Sequence, residues 1–165
     1  MEKQRDIVKY PNEILLKRAE EVILDEVKSF KSLIDDMITI VWKGASGLSA
    51  PQINVSKRII VYIGNNKEVE VLINPRITHF QGTAVSQQEG CLSVPNIRRN
   101  IKRLRNIVVK GWDRKGKPIT IIPKTNFIGF IIQHEIDHLN GILILNGAKE
   151  RNLVRLEEAK DYKCH

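Results

Sequence analysis

The chain has 165 residues, a length that suits one domain with one hydrophobic core. Its composition, 42% hydrophobic and 28% charged, is that of an ordinary globular protein and excludes a fibrous or disordered chain. Lysine and arginine number 27 against 19 acidic residues, and the resulting net charge of +8 favours acidic partners such as nucleic acid or anionic lipid.

The N-terminus and the cysteines indicate the compartment. The first residues are charged and lack the hydrophobic segment of a secretory signal, and no apolar run is long enough to span a membrane. The two cysteines, Cys91 and Cys164, do not suggest a disulfide framework, and Cys164 lies in a C-terminus that is expected to fray. We therefore expect a cytoplasmic protein with no membrane association.

The first part of the chain predicts helical structure. Residues 10–12 indicate a turn, and residues 13–22 a short helix. Apolar side chains recur with helical spacing over residues 27–42, which predicts an amphipathic helix. Residues 44–52 are mostly small, so the backbone there can approach a packed neighbour or a bound substrate closely.

The middle of the chain predicts strands. Residues 57–63 and 69–73 are rich in β-branched side chains, and residues 77–85 suggest a further strand. Residues 107–112 and 119–122 flank a turn sequence and therefore predict a β-hairpin.

A cluster of basic residues lies between the predicted strands. We interpret it as a solvated strand edge, since lysine and arginine discourage pairing between exposed edges. Its members are Arg98, Arg99, Lys102, Arg103 and Arg105.

The last part of the chain predicts two helices. Residues 127–141 form an apolar segment that Thr125 or Asn126 would cap and Gly141 would end. Residues 148–160 predict an amphipathic helix.

The element order predicts an α+β fold and a single domain over residues 1–165. In this architecture mostly antiparallel strands surround the central helix of residues 127–141, with one helix N-terminal to the strands and an amphipathic helix at the C-terminus.

The central helix carries a His-Glu-x-x-His run, and this motif predicts a metal site. Positions i and i+4 share one helix face, so His134 and His138 can direct both imidazoles at one ion. Glu135 would then lie close enough to take a proton from a water that the metal activates. This combination suits the hydrolysis of an amide.

Two histidines leave a catalytic metal short of one protein ligand, and the spacing leaves its identity open. Ile144 stands where a metzincin would have its third histidine. Glu157 or Glu158 would complete a thermolysin-like site, and Cys91 is the other candidate.

Three motifs occur in the same order as in a known family, so that the chain resembles the peptide deformylases, and this resemblance favours Cys91 among these candidates. The family's Gly-x-Gly-Leu-Ala-Ala-x-Gln is similar to residues 45–52, its Glu-Gly-Cys-Leu-Ser to residues 89–93, and its Gln-His-Glu-x-Asp-His to residues 133–138. Two departures lie in the first motif, where Ala45 replaces a glycine and Ser49 replaces an alanine. We expect both to change the geometry of that loop modestly.

The resemblance implies a role for each residue of these motifs. Cys91, His134 and His138 would bind the metal, and Glu135 would act as general base and then as general acid. The side-chain amide of Gln52 and the backbone N–H of Leu92 would stabilise the oxyanion. The substrate would be the formyl group of N-terminal formylmethionine on new proteins, and the product formate.

Further residues are candidates for binding the peptide and supporting the metal ligands. Phe127, Phe130 and Ile131 would form the methionine pocket, while Gly47, Leu48 and Gly90 would bind the peptide main chain as an added strand, with Arg98 as a further contact. Arg103 would pair with Glu89 behind the cysteine and help to orient the ligands, and Asp137 is a further candidate for orienting them.

The cofactor implied is one divalent metal ion. The resemblance favours Fe²⁺, and a His₂Cys set also accepts Zn²⁺, Ni²⁺ or Co²⁺. The expected partners are N-formylmethionyl nascent peptides and the ribosome, and we expect a monomer. Basic residues of the C-terminal helix would contact ribosomal phosphates, namely Arg151, Arg155, Lys160 and Lys163.

Three alternatives to an active deformylase stay open at this point. One is a zinc peptidase of the His-Glu-x-x-His type that uses Glu157 or Glu158. Another is a weakly active or inactive ribosome-associated paralogue, since Ala45 and Ser49 alter the loop that presents Gln52. The third is a basic nucleic-acid-binding or ribosome-associated module with a structural metal site.

Overall fold

The computed structural model describes residues 5–146, and this part of the chain forms an α+β domain. The helices and strands are α1 (Lys31–Trp42), β1 (Gly47–Ser49), β2 (Ile59–Ile63), β3 (Val69–His79), β4 (Thr83–Cys91), β5 (Val94–Leu104), β6 (Val108–Trp112), β7 (Pro118–Ile121) and α2 (Asn126–Leu139). Short 3₁₀ helices at Glu13–Leu16, Leu24–Phe30 and Ala50–Ile53 complete the ordered elements of this region.

The strands form two antiparallel sheets. The larger sheet has the order β1-β2-β3-β6-β7, which leaves β1 as an edge strand. The smaller sheet is the hairpin of β4 and β5, closed at the register pair Cys91 and Val94. The turn of this hairpin carries Leu92 and Ser93.

The larger sheet lies between the two α-helices, and the alternation of β2 shows how. Ile59 and Val61 belong to the cluster that contains the apolar face of α1, while Ile60 and Tyr62 belong to the cluster that contains α2. Because successive side chains of a strand point to opposite faces, β2 is buried on both sides. The central sheet therefore fixes the position of α2, the helix that bears the His-Glu-x-x-His run.

Both ends of α2 are held by specific hydrogen bonds. The Thr125 hydroxyl accepts the N–H of Ile128 at 3.3 Å, as an N-cap does. At the other end, the buried Arg58 side chain donates to the carbonyl of Leu139 at 3.0 Å. Gly141 follows with φ +71, a backbone conformation that glycine adopts without a steric penalty. The predicted cap and end of this helix are confirmed.

The helical predictions for the N-terminal part of the chain were too long. Only Glu13–Leu16 of residues 13–22 is helical, because the following N–H groups bind tertiary partners. Ala19 donates to Leu139 at 2.8 Å, and Val22 donates to the Asn74 side chain at 2.9 Å. The helix predicted over residues 27–42 is α-helical only from Lys31, and the preceding turns are 3₁₀.

The predicted strands are confirmed with changed limits. β2 and β3 lie where the β-branched runs are, and β6 and β7 form the predicted hairpin. The strand predicted over residues 77–85 is two strands, since β3 ends at His79 and β4 begins after Gly82, which has φ +77.

The interpretation of the basic cluster as a solvated edge is wrong for Arg103. Arg98, Arg99, Lys102 and Arg105 are exposed, whereas Arg103, which lies on β5, is only 1% exposed. The predicted C-terminal helix of residues 148–160 falls outside the described residues. Among residues 5–146, no helix is both long and apolar enough to cross a membrane.

Candidate active site

Three potential metal ligands meet between the hairpin and α2. The ligand atoms of Cys91, His134 and His138 all lie within 4.8 Å of one another. Cys91 Sγ is 3.2 Å from His138 Nε2, and the two imidazole rings stand nearly edge to face at a centroid distance of 5.0 Å. β4 therefore supplies the thiol, and one face of α2 supplies both imidazoles.

The donor set and its surroundings fit a divalent cation. Ligands of one tetrahedral ion lie roughly 3.5 Å apart when the metal–ligand bonds are about 2.0–2.3 Å, and this spacing matches the Cys91–His138 distance. His138 Nδ1 is buried and has no hydrogen-bond partner among residues 5–146. Its other nitrogen faces the cluster, so the side chain can coordinate through Nε2.

Charge in the cluster favours the thiolate of Cys91, the form that binds metal, and in the absence of an ion it also favours a proton on His134. Burial raises the pKa of the Cys91 thiol, but hydrogen bonds and charge from His134 and His138 outweigh burial and lower this pKa to about 5. Burial lowers the pKa of His134, but Cys91 and Glu89 outweigh it and raise this pKa to about 10. A cation at the ligand atoms competes with that ring proton, since metal binding releases protons from its ligands.

Arg103 connects the hairpin to the metal helix through two carboxylates. Its guanidinium donates to both oxygens of Glu89, each at 2.6 Å, and to Asp137 on α2 at 2.7 Å. Burial lowers the pKa of Arg103, but the charges of Asp137 and Glu89 outweigh it, so this pKa is raised. The pairing with Glu89 that the sequence suggested is present in the structure.

Glu89 also contacts His134, one of the three potential metal ligands. Its Oε2 lies 3.1 Å from His134 Nδ1. A carboxylate on Nδ1 fixes the tautomer and leaves Nε2 free to coordinate. Burial raises the pKa of Glu89, but Arg103 and His134 hold it well below its usual range, so Glu89 stays ionised.

Glu135 occupies a tight position above the cluster. Its Oε2 is buried and has no hydrogen-bond partner within the described region. Burial raises the pKa of Glu135 to about 7, although the charges of His134 and His138 lower it. A Cβ on Gly47 would lie 2.6 Å from Glu135 Oε1, so only glycine leaves room for the carboxylate.

Gln52 presents its side-chain amide to the cluster from the opposite side. Its Nε2 donates to Ser93 Oγ at 3.2 Å and makes a longer contact of 3.7 Å with Cys91 Sγ. Its Oε1 accepts from the backbone N–H and the hydroxyl of Ser49, at 3.0 and 3.1 Å. The small residues of the preceding loop allow this burial.

The N-terminal segment of residues 8–10 contacts both the 3₁₀ helix that carries Gln52 and the hairpin turn that carries Leu92. Val8 N–H donates to the carbonyl of Gln52 at 2.8 Å, and Tyr10 N–H donates to that of Ser93 at 2.9 Å. The Lys9 ammonium donates to the carbonyl of Leu92 at 2.5 Å. No sequence motif pointed to Lys9, because the contact joins residues 83 positions apart.

A cavity of about 720 Å³ opens over the cluster and contains most of the predicted substrate-binding residues. Gly47, Gly90, Arg98, Phe127, Phe130, Ile131 and the turn at Leu92 line it. Phe127 is 63% exposed and therefore lies towards solvent, while Ile131 is buried. The Leu48 side chain is fully buried in the core cluster of α1, so only its backbone can take part in binding.

Arg98 and Gly90 lie in direct contact. A Cβ on Gly90 would meet the Arg98 guanidinium at 2.5 Å, so the side chain crosses directly over the glycine. Arg98 Nη1 also donates to the carbonyl of Gln88 at 3.5 Å. The guanidinium therefore lies along the β4 backbone, where an added peptide strand would pass.

Comparison with known proteins gives one consistent family. The family model for polypeptide deformylase matches residues 4–153. The peptide deformylase of Thermodesulfovibrio yellowstonii is 43% identical over 147 residues, covering 86% of this chain and 87% of that protein. Peptide deformylase 1 of Bacillus subtilis is 38% identical over 141 residues, covering 84% of this chain and 86% of that protein.

Solved structures show the same similarity. A class I type b peptide deformylase from Acinetobacter baumannii, with Met-Ala-Ser bound, matches with a TM-score of 0.79 at 30% identity and covers 88% of this chain and 98% of that one. A peptide deformylase from Legionella pneumophila matches with a TM-score of 0.77 at 36% identity, and the match covers 98% of this chain and 96% of that one.

The Glu89 carboxylate gives a test of the metal centre. We expect Glu89→Gln to lower the affinity for a divalent metal about 10- to 100-fold, because it weakens the hydrogen bond that orients His134. The measurement is competition for Co²⁺ against a coloured chelator, with the thiolate-to-metal absorption band as a second readout.

The matched control is Glu68→Gln, which neutralises an exposed carboxylate between β2 and β3. This variant should bind Co²⁺ as the unmodified protein does. Equal affinity in both variants, with the same thermal unfolding midpoint, would show that Glu89 does not support the metal ligands.

Proposed function

The chain belongs to the polypeptide deformylase family, and we propose that it hydrolyses the formyl group from the N-terminal formylmethionine of newly synthesised proteins. One observation carries the assignment of this chemistry to residues. A carboxylate, an amide donor and a Cys-His-His ligand set converge at one cavity: Glu135 and Gln52 flank the cluster of Cys91, His134 and His138. The family relationship supplies the substrate, and this convergence supplies the groups that its hydrolysis requires.

The family uses a divalent metal, and we propose Cys91, His134 and His138 as its ligands in this chain. When bound, the ion supplies a Lewis acid that lowers the pKa of a water molecule and polarises the formyl carbonyl. We propose Fe²⁺ as the physiological ion, following the family resemblance. Zn²⁺, Ni²⁺ and Co²⁺ suit the same nitrogen and sulfur ligands.

Glu135 moves the proton in the proposed reaction. As the water oxygen bonds to the formyl carbon, a carboxylate oxygen of Glu135 takes the proton. The same carboxyl group then gives it to the amine nitrogen when the C–N bond breaks, and formate leaves. A carboxyl with a pKa of about 7 suits both steps near neutral pH.

Gln52 and Leu92 stabilise the charge that builds on the formyl oxygen. The Gln52 amide nitrogen faces the cluster, with Ser93 and Ser49 holding the amide from both ends. Leu92 lies in the turn directly after Cys91, so its backbone N–H is the second donor. A donor of this kind contributes about 3 kcal/mol to the transition state in other enzymes.

The peptide binds along the edge of the larger sheet in this proposal. β1 is an edge strand, and Gly47 lines the cavity opposite Gly90. Phe127, Phe130 and Ile131 receive the methionine side chain. The Acinetobacter baumannii structure holds Met-Ala-Ser, a peptide that begins with methionine, which supports a methionine pocket in this family.

The peptidase alternative has less support. It requires Glu157 or Glu158 as the third ligand, and both fall outside the described residues. Cys91 Sγ already lies 3.2 Å from His138 Nε2, where a third ligand is needed. Retention of metal in Cys91→Ala together with its loss in Glu157→Ala would favour the peptidase instead.

We further propose a cytoplasmic monomer in which residues 1–165 form one catalytic domain that works on nascent chains at the ribosome. The ribosome contact is supported by the net charge of +8 and by four basic residues near the C-terminus, namely Arg151, Arg155, Lys160 and Lys163. Phosphate contacts of this kind weaken steeply with salt.

Glu135→Gln tests the role of the carboxylate. We expect formate release from an N-formylmethionyl peptide to fall at least about 100-fold, since the variant removes general base and general acid together. The metal content should stay unchanged. The assay uses anaerobic protein with Fe²⁺, and the N-acetylated peptide should remain uncleaved by the unmodified enzyme.

Retention of activity by Glu135→Gln would refute the assigned role of the carboxylate. Absence of formate release by the unmodified, metal-loaded protein would refute the deformylase assignment for this chain.

Gly47→Ala tests whether the position of Glu135 matters. The new Cβ would lie 2.6 Å from Glu135 Oε1 and 2.9 Å from Ile131 Cγ2, so the carboxylate must move. We expect kcat to fall about 100-fold, as displacements of about 1 Å can cause. Formate release at saturating substrate is the measurement.

Gly129→Ala is the matched control. Gly129 lies on α2, and a Cβ there meets no atom closer than 3.8 Å. Its activity should match that of the unmodified enzyme, because alanine suits a helix. An equal loss of activity in the two variants would contradict the explanation that the close contact between Gly47 and Glu135 is required for activity.

Ribosome docking predicts salt-dependent co-sedimentation with 70S ribosomes. We expect pelleting at low salt that is lost between about 50 and 200 mM salt. Neutralising Arg151, Arg155, Lys160 and Lys163 to glutamine should abolish it and leave formate release from a short peptide intact. Salt-insensitive pelleting, or none at low salt, would contradict docking.

A further inference from the structure

The amide of Gln52 is fixed by four contacts, and two of them come from Ser49. Oε1 accepts from Ser49 N–H at 3.0 Å and is 3.1 Å from Ser49 Oγ. Nε2 is 3.2 Å from Ser93 Oγ and 3.7 Å from Cys91 Sγ. Both serines are fully buried and Gln52 is 2% exposed, so solvent hardly reaches these groups.

The backbone of Ser49 determines which end of the amide faces the cluster. A backbone N–H can only donate, so the atom opposite it must be the oxygen of Gln52. The nitrogen therefore faces Ser93 and Cys91. The nitrogen and the oxygen of a glutamine amide are similar in size, but here their hydrogen-bond partners determine which is which.

The amide nitrogen keeps one N–H for the substrate. One hydrogen is used by Ser93 Oγ. The other hydrogen points towards Cys91 Sγ. This contact is long, at 3.7 Å, so the same N–H can donate instead to the carbonyl oxygen of a substrate. Gln52 is therefore already aimed before the substrate binds.

The Ser49 hydroxyl acts on the other end of the same amide. Gln52 Oε1 can only accept, so Ser49 Oγ must donate its hydrogen to it. Hydrogen bonds to the carbonyl of an amide polarise it and strengthen its N–H as a donor. Because this site holds little water, solvent does not screen the polarisation of the amide.

We propose that Ser49 is a positioning residue for deformylation: its hydroxyl orients and polarises the Gln52 amide that stabilises the oxyanion. This inference rests on the proposed function. It also reverses the expectation for the Ser49 departure from the family motif, because the hydroxyl adds a hydrogen bond to Gln52 where an alanine has none. Ser49 would act through Gln52 and would not touch the substrate.

A double-mutant cycle tests the inference. In Ser49→Ala we expect kcat to fall about 3- to 10-fold with KM unchanged, because the hydroxyl contributes to a transition-state donor while the backbone N–H still orients the amide. Gln52→Ala alone should lower kcat about 100- to 1,000-fold. Adding Ser49→Ala to Gln52→Ala should then change kcat less than about 2-fold.

The cycle separates positioning from a general structural role. If Ser49 affected activity only through the general stability of the fold and not through Gln52, its removal would lower activity by the same factor with or without Gln52. The same factor in both backgrounds would therefore overturn the inference, as would an unchanged kcat in Ser49→Ala.

A readout that does not depend on turnover comes from the amide itself. The side-chain ¹⁵N resonance of Gln52 can be identified by its loss in Gln52→Ala. We expect its two hydrogens to exchange with solvent faster in Ser49→Ala, since one of the two bonds to Oε1 is gone. Unchanged exchange and chemical shifts would count against a bond between Ser49 and Gln52.

Two controls keep this result apart from the deformylase assignment. Ser29→Ala removes a hydroxyl that donates only to the backbone of Glu26 on a 3₁₀ helix, and its kcat should equal that of the unmodified enzyme. Formate release by the unmodified protein tests the function itself. If the unmodified protein releases formate and Ser49→Ala has no effect, the proposed role of Ser49 is rejected while the deformylase function stands.

Discussion

The buried guanidinium of Arg103 is the constraint on which the metal site depends. A buried charge is costly unless it is paired and its donors are used. Arg103 meets this condition only where Glu89 of β4 and Asp137 of α2 approach it together. The ion pairs therefore fix the hairpin against the helix. Since the thiol ligand is on one element and the imidazoles are on the other, the same pairing aligns the ligand set.

The close approach of these elements depends on the absence of side chains at two points. Gly47 leaves space for Glu135 beside β1, and Gly90 leaves space for Arg98 across β4. A methyl group at either position would enter the cavity or displace a charged group. These two glycines belong to different motifs in the sequence, yet they have a common physical role, which is to let a charged side chain lie directly against the backbone at the cavity.

The sequence predicted the architecture around α2 well, because helical spacing, β-branched runs and capping residues are local signals. The three motifs also predicted residues that the structure brings together, since the ligand atoms of Cys91, His134 and His138 lie close to one another beside one cavity. It could not predict the segment of residues 17–22, where Ala19 and Val22 use their N–H groups in tertiary hydrogen bonds. Nor could it find the contact of Lys9 with Leu92, which only the folded chain brings together.

The charges of the cluster explain why a cation belongs there. The Cys91 thiolate, Glu89 and Asp137 are three anions at the cluster, of which Asp137 is buried and the other two are partly buried, and Arg103 supplies one positive charge. A cation that binds here displaces the ring proton of His134, so that this side chain adds no charge of its own once an ion is bound. The two negative charges that remain match one divalent ion. Glu135 would add a further anion, and its Oε2 has no hydrogen-bond partner in the part of the chain that the structure describes, which is why burial favours its protonated form. The same balance of charge therefore favours a cation at the three ligand atoms and a proton on Glu135.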